Sequence, residues 1–276
     1  PYSFTAADNK KVASAFVLKD GVLGFQTGAY KGTLVIDPVL SWATYYGGAG
    51  TDYVASHVSD HQNTLAVDDS CNVYILIASS GSSSARSTGL GTPGVYQDTM
   101  TGSSGMILVK FNSAGVRQWA SYYPTFGYGV IATDNKGGVY IAWPTNSVAP
   151  YLTTPGTYMQ IHPASYSPLL VKFDRTGARQ WGTFFGGNMR DYVDGIVCDN
   201  DGNLIMGGYT GGLTGGNVGG SWTLATPGAF LTDTIGKQDG YIAKFNGNAG
   251  TLMWSTYFGG TEQDHVMAVT VDESNN

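Results

Sequence analysis

Trp254-Ser-Thr-Tyr-Phe-Gly-Gly260 repeats Trp181-Gly-Thr-Phe-Phe-Gly-Gly187 and Trp42-Ala-Thr-Tyr-Tyr-Gly-Gly48, and this repetition decides the fold. A reduced copy, Trp119-Ala-Ser-Tyr-Tyr123, has Pro124 in place of the first glycine. The tryptophans Trp42, Trp119, Trp181 and Trp254 lie 77, 62 and 73 residues apart. Other motifs keep the same order around them. Asp52-Tyr53-Val54 matches Asp191-Tyr192-Val193 and Asp264-His265-Val266. Thr92-Pro93-Gly94 matches Thr154-Pro155-Gly156 and Thr226-Pro227-Gly228. Lys110-Phe111-Asn112 matches Lys172-Phe173-Asp174 and Lys244-Phe245-Asn246. An Asp-led turn recurs from Asp68 to Asn72, Asp134 to Gly138, Asp199 to Asn203 and Asp272 to Asn276. Five motifs in fixed order mark a repeat architecture.

Each unit reads as four short strands rich in Val, Ile, Tyr and Phe, bounded by Gly, Asn and Asp. A long Gly/Ser/Thr/Pro loop before Thr-Pro-Gly separates the second strand from the third. Every connection can be a hairpin, so the expected fold is all-β: a β-propeller of four-stranded antiparallel blades. The blades are expected at about 52–123, 128–185 and 191–258, with a partial one at 264–276. One such sheet cannot cover both of its faces, and stacking buries them. Each tryptophan reads as a wedge between blades. The pairs Gly47-Gly48, Gly186-Gly187 and Gly259-Gly260 read as sharp turns into the next blade.

Residues 1–40 lie outside the repeat and end in Leu34-Val35-Ile36-Asp37-Pro38. They read as two or three strands finishing a preceding β-sandwich-like domain, with the propeller repeats over 41–276. The Trp42 stretch then reads as a possible ring-closing outer strand. The last residues, Val271 to Asn276, enter an Asp turn, which creates the expectation of a longer parent polypeptide.

Composition supports this reading. Glycine is abundant at 40 residues, and charged residues are only 12% of the 276. The net charge is −6 with no Lys/Arg cluster, which argues against a nucleic-acid partner. No apolar run approaches the roughly 18 residues of a membrane span, and no signal peptide is visible. Cys71 and Cys198 fall at different places in the repeat, so a disulfide is not the expectation, and the redox compartment stays open.

The motifs resemble the bacterial SBBP beta-propeller repeat family. The resemblance rests on Trp-Ser-Thr-Tyr-Phe-Gly-Gly, the Asp-x-x-Gly-Asn turn, Thr-Pro-Gly-x-Tyr/Phe and Lys-Phe-Asn/Asp, and covers residues 41–276. The second unit departs from it, with Phe126-Gly127-Tyr128-Gly129 in place of the Gly-Gly and the Asp-Tyr-Val aspartate. The resemblance implies a large protein, secreted or on the outer cell surface of a bacterium. Such proteins are often type IX secretion substrates with a C-terminal sorting domain. It brings no catalytic residue set, and adhesion is the common suggestion.

Candidate chemistry is sparse. His57 and His61 stand about 13 Å apart on an extended chain, too far for one metal. His265 occupies a tyrosine slot and reads as structural, while His162 has no evident partner. Asp199, Asp201 and Asn203 resemble a weak calcium loop. The equivalent turns do not preserve these oxygens, so a hydrogen-bonded hairpin turn is the preferred reading and no cofactor is expected. Lys110, Lys172 and Lys244 align and are expected to point away from the core or to snorkel. Lys-Phe-Asn-x-x-Gly-x-x-x-Trp also resembles the tryptophan-docking repeat of quinone-dependent dehydrogenase propellers, without that site's polar ring. There is no Gly-x-Ser-x-Gly, His-Glu-x-x-His or phosphate loop.

The long loops Ser79–Gly91, Asn146–Thr154 and Gly211–Ala225 recur at one position and should cluster on one face. Arg86, Tyr151 and Trp222 are the large side chains there, suited to a sugar ring or a partner's pocket. The expected function is a non-enzymatic surface scaffold that binds a protein or glycan, with further blades from the same or another chain as additional partners. A spacer in a filament or secretion cargo, and a carbohydrate-active or quinone-dependent enzyme, are the alternatives.

Overall fold

The computed structural model describes residues 2–19, 22–37, 42–54, 63–80, 88–163, 166–211, 223–236 and 238–275. Two compact units divide between Tyr45 and Tyr46. Among the described residues the first holds five short strands: β1 (Tyr2–Thr5), β2 (Lys11–Val12), β3 (Ser14–Lys19), β4 (Val22–Thr27) and β5 (Leu34–Asp37). They form a three-stranded antiparallel sheet, β2-β1-β5, and a β3-β4 hairpin. That is more strands than the sequence pattern suggested. Residues 42–48, which include the stretch read as a possible ring-closing strand, belong to no strand.

Among the described residues the second unit contains three antiparallel sheets, one per repeat. The first blade has β6 (Thr51–Val54), β7 (Leu65–Val67), β8 (Val73–Ser80), β9 (Ser104–Phe111) and β10 (Arg117–Tyr123). Both β6 and β7 pair with β8, so its innermost strand is split. The second has β11 (Val130–Thr133), β12 (Val139–Thr145), β13 (Ser167–Phe173) and β14 (Arg179–Phe184). The third has β15 (Asp191–Cys198), β16 (Leu204–Thr210), β17 (Asp239–Phe245) and β18 (Leu252–Phe258). Each third strand pairs with its own fourth strand. The expected partial blade at 264–275 carries no strand.

The sheets stack face to face as propeller blades. Along β12, Val139, Ile141 and Trp143 join the core shared with the first blade. The alternate residues Tyr140 and Ala142 join the core shared with the third. The two-residue period of a strand thus sends one side chain to each neighbour, and all seven residues of β12 are buried. Innermost strands β7, β11 and β15 bound a cavity of about 330 Å³ that includes Ala66, Ala132 and Cys198.

Antiparallel order fixes two faces. The Asp turns and the third-to-fourth turns share one face. The long loops and the connectors between blades share the other.

Candidate functional site

Three recurring joints build the scaffold that holds the loop face. The first is the tryptophan. Trp119 Nε1 donates to Arg175 O in the next blade at 2.9 Å. Trp181 Nε1 donates to Gly247 O at 3.0 Å. Both indoles are almost wholly buried. Gly177 and Gly250 lie flat on them, where a Cβ would come within 3.0 and 2.8 Å of the rings.

The second joint explains the glycine pairs. Gly48 N–H donates to Asp52 Oδ2 at 2.7 Å, Gly187 to Asp191 at 2.8 Å and Gly260 to Asp264 at 2.7 Å. None of the six paired glycines has positive φ, so their backbone conformation does not by itself require glycine. A Cβ on Gly47 or Gly186 would instead stand 3.0 or 2.8 Å from the aspartate oxygen. A Cβ on Gly259 would overlap Asp239. The Asp191 carboxylate is fully buried, and its other oxygen, Oδ1, has no hydrogen-bond partner. Burial pushes its pKa up to about 7, against the opposing bonds from Thr210 and Gly187.

The third joint concerns the lysines, and it corrects the outward expectation. Lys110, Lys172 and Lys244 are largely buried and pair with the Asp turns of their own blades. The Lys172–Asp134 and Lys244–Asp199 distances are 3.3 and 2.7 Å, and Lys110–Asp68 is looser at 4.0 Å. Lys110 and Lys172 also lie 5.1 and 4.8 Å from the centres of Tyr74 and Tyr140. Desolvation raises the pKa of Asp134, but N–H bonds from Gly138 and Lys136 and the charge of Lys172 outweigh it, and the net shift is downward.

The turn with the calcium-like sequence is explained by the same contacts. Asp199 Oδ1 accepts the N–H groups of Asp201 and Asn203. Its Oδ2 faces Asn203 Nδ2 and the Lys244 ammonium. Asp201 Oδ2 accepts from Asn275 instead, so the three residues do not converge. Among the described residues no group of three or more metal-ligating side chains assembles. On this face a polar groove of about 380 Å³ runs past Asp68, Lys110, Asp134, Lys136 and Arg175.

On the loop face, Tyr151 is exposed on a short 3-10 turn, Pro150–Leu152, and its carbonyl is held by Arg179 at 2.8 Å. Arg86 and Trp222 lie outside the described residues, as do His57 and His61. His162 has a partner after all: its Nε2 lies 2.8 Å from Thr145 O and its ring meets Phe184 edge-on. Cys71 and Cys198 are both free.

The same face carries a row of aromatic rings that sequence motifs did not mark as a site. Tyr192, the second residue of β15, stacks on Tyr209 near the end of β16 at 4.7 Å and 13°. His265 stacks on Tyr209 at 3.8 Å and 7°. Tyr166, just before β13, meets Tyr192 at 5.5 Å. The tyrosines are half-buried and His265 is exposed. Exposed Arg190 lies near Tyr166, and Gln238 Oε1 sits 3.2 Å from His265 Nε2. A second cluster, Tyr53, Phe126 and Tyr128, occupies the mouth between the first two blades. The recurring slot Tyr53/Tyr192/His265 was the one sequence signal for this row.

No protein-family model matches the chain, and no curated protein matches it. Among solved structures it is similar to an apocarotenoid oxygenase of Synechocystis, at 13% identity and TM-score 0.32, over 68% of this chain and 35% of that one. It is similar to a chain of the mitotic checkpoint complex at 8% identity and TM-score 0.29, over 80% and 74%. It is also similar to the Dos1 propeller at 9% identity and TM-score 0.27, over 83% and 69%. The chain thus spans 35% of the oxygenase's length. The propeller assignment is carried by the chain's own stacked four-stranded sheets.

Proposed function

We propose that this chain is a non-enzymatic propeller scaffold of an exported bacterial surface protein, and that it binds a glycan at the Tyr166–Tyr192–Tyr209–His265 row. The observation that carries the reading is the serial stack itself. Tyr209 is stacked on both faces, so the row presents ring edges and hydroxyls, with exposed His265 at its end, a strip that can meet a sugar's hydroxyls and one CH face together. Rings already stacked on one another lose little freedom on binding, so more of the contact energy appears as affinity. Arg190 and Gln238 supply hydrogen bonds at the rim. The surface location is supported by the likeness of the repeat motifs to those of exported bacterial propellers.

A glycan array probed with the 276-residue protein tests the reading. The expected result is a restricted set of bound oligosaccharides whose signal is lost in Tyr209→Ala. An array without hits, or hits that persist in both Tyr209→Ala and Tyr192→Ala, would refute it.

A further inference from the structure

We infer that the glycan site runs beyond the Tyr166–His265 row to Tyr128 and Tyr53, with one aromatic slot per repeat along the loop face, and that its ligand is a neutral linear glycan held along several consecutive sugar units. The inference rests on the glycan reading above and names the class of glycan.

Register reveals the slot where the motif does not. Tyr74, Tyr140 and Ile205 each stand opposite the repeat lysine of their blade. Four residues further along the same strands come Ala78, Pro144 and Tyr209. Ala78 pairs with Tyr53, and Tyr209 pairs with Tyr192. In the second blade Val130 pairs with Ala142, so counting two residues back along the chain sets Tyr128 level with Pro144. Tyr128 therefore holds the slot of Tyr53 and Tyr192, although Gly127 stands where the other copies have aspartate. His265 continues the series through Asp264-His265.

The rings in these slots connect. Tyr53 and Tyr128 lie 6.5 Å apart, and Phe126 meets both edge-on at 6.2 and 6.3 Å. Tyr53 and Phe126 also pack against the core between the first two blades, which holds this end of the arc in place. Tyr128 in turn lies near Tyr166, whose ring meets Tyr192 at 5.5 Å. From there the stack passes through Tyr209 to His265. All five tyrosines are half-buried, so each keeps part of its ring in solvent. The cluster at the first mouth and the row at the third blade are thus one arc.

Two features choose the ligand. A slot repeated once per blade makes a repeated subsite, which fits a ligand whose units repeat along a chain. Each ring contact is weak alone, but a ligand that spans several makes the later contacts intramolecular. Charge then selects among chains. Asp52 and Asp264 adjoin the slot residues at the two ends of the arc, and the protein carries a net charge of −6. Arg190 is the cation near its middle. An acidic glycan would meet carboxylates at both ends, whereas a neutral one meets no such repulsion.

The test is isothermal titration calorimetry of the 276-residue protein with cello-, xylo- and chito-oligosaccharides, from disaccharide to hexasaccharide. In at least one series affinity should climb with length by about tenfold or more. That exceeds the few-fold gain from the number of ways a short epitope can sit on a longer chain. Tyr209→Ala should weaken binding at every length. Tyr128→Ala and Tyr53→Ala should bring the ratio of hexasaccharide to disaccharide affinity down to the few-fold gain, with near-ultraviolet circular dichroism reporting that each variant is folded. A disaccharide bound through Tyr209 with no gain on lengthening would overturn the inference and leave the glycan reading standing. So would a ratio unchanged in both folded variants, or tighter binding of oligogalacturonates than of any neutral series. Failure of all three neutral series to bind overturns it as well, and a blank glycan array removes the glycan reading with it.

Discussion

Trp181 Nε1 donates to Gly247 O across the boundary between the second and third blades, with Gly250 resting on the indole ring. This contact ties the sequence of one repeat to the turn of the next. It predicts that Trp181→Ala costs about 3–5 kcal/mol, the usual range for emptying a large buried aromatic site. Trp254→Ala, at a 41% exposed copy of the same position, should cost under about 1 kcal/mol. Urea denaturation of both variants checks the contrast, and equal losses would contradict it.

The Gly-Gly-to-Asp joint makes a prediction about space. A methyl group on Gly186 would stand 2.8 Å from both Asp191 Oδ2 and Ser167 Oγ. Gly186→Ala should therefore destabilise by about 1–3 kcal/mol, as overpacking does. Gly187→Ala, whose N–H bond to Asp191 survives the change, serves as the comparison. A thermal melt showing no loss for Gly186→Ala would remove the close-approach explanation.

Asp191 makes a prediction about pH. Its pKa is raised from 3.8 to about 7 by burial, so the folded state holds a proton that the unfolded state has released. Its contribution to stability is complete below about pH 4 and is lost as pH rises toward 7. Asp68, Asp134 and Asp199 have lowered pKa values, because hydrogen bonds, and for Asp134 and Asp199 a lysine partner, outweigh desolvation. Their contributions run the other way and vanish as pH falls below the ordinary carboxylate range. Asp191→Asn should flatten the decline in stability between pH 5 and pH 7 while leaving the acid limb in place. Denaturation midpoints across pH 3–8 measure this, and a decline unchanged in Asp191→Asn would sink it.

Cys71 stands at φ 57° in the Asp68 turn, where the equivalent residues Gly137 and Gly202 have φ 83° and 82°. A left-handed conformation costs a side-chain-bearing residue about 1–2 kcal/mol, partly offset by the entropy of glycine. Cys71 is exposed, so little packing is lost on replacing it. Cys71→Gly should stabilise the protein by up to about 1 kcal/mol, read as a higher denaturation midpoint.

The blades were legible because their motifs recur in order. The expected spans 52–123, 128–185 and 191–258 fall within a few residues of Thr51–Tyr123, Val130–Phe184 and Asp191–Phe258. The lysine partners were not legible, since Lys172 reaches Asp134 only once β12 and β13 have paired Tyr140 with Lys172. The Trp42 stretch carries no strand among the described residues, yet its motif keeps one contact made by the other copies: Tyr46 meets Phe111 edge-on at 5.8 Å, as Tyr123 meets Phe173. The aromatic row was half legible. Tyr192 and His265 share a visible slot, but Tyr166 and Tyr209 lie outside every repeated motif and meet them only in the folded blades.

The most direct test of the account is an NMR titration of the 276-residue protein, selectively labelled at tyrosine and histidine rings, with the oligosaccharide that binds most strongly on an array. The account predicts shift changes centred on Tyr166, Tyr192, Tyr209 and His265, with Tyr74 and Tyr140 on the opposite face unmoved. Changes centred on that turn face, or no saturable change at any ring, would contradict it.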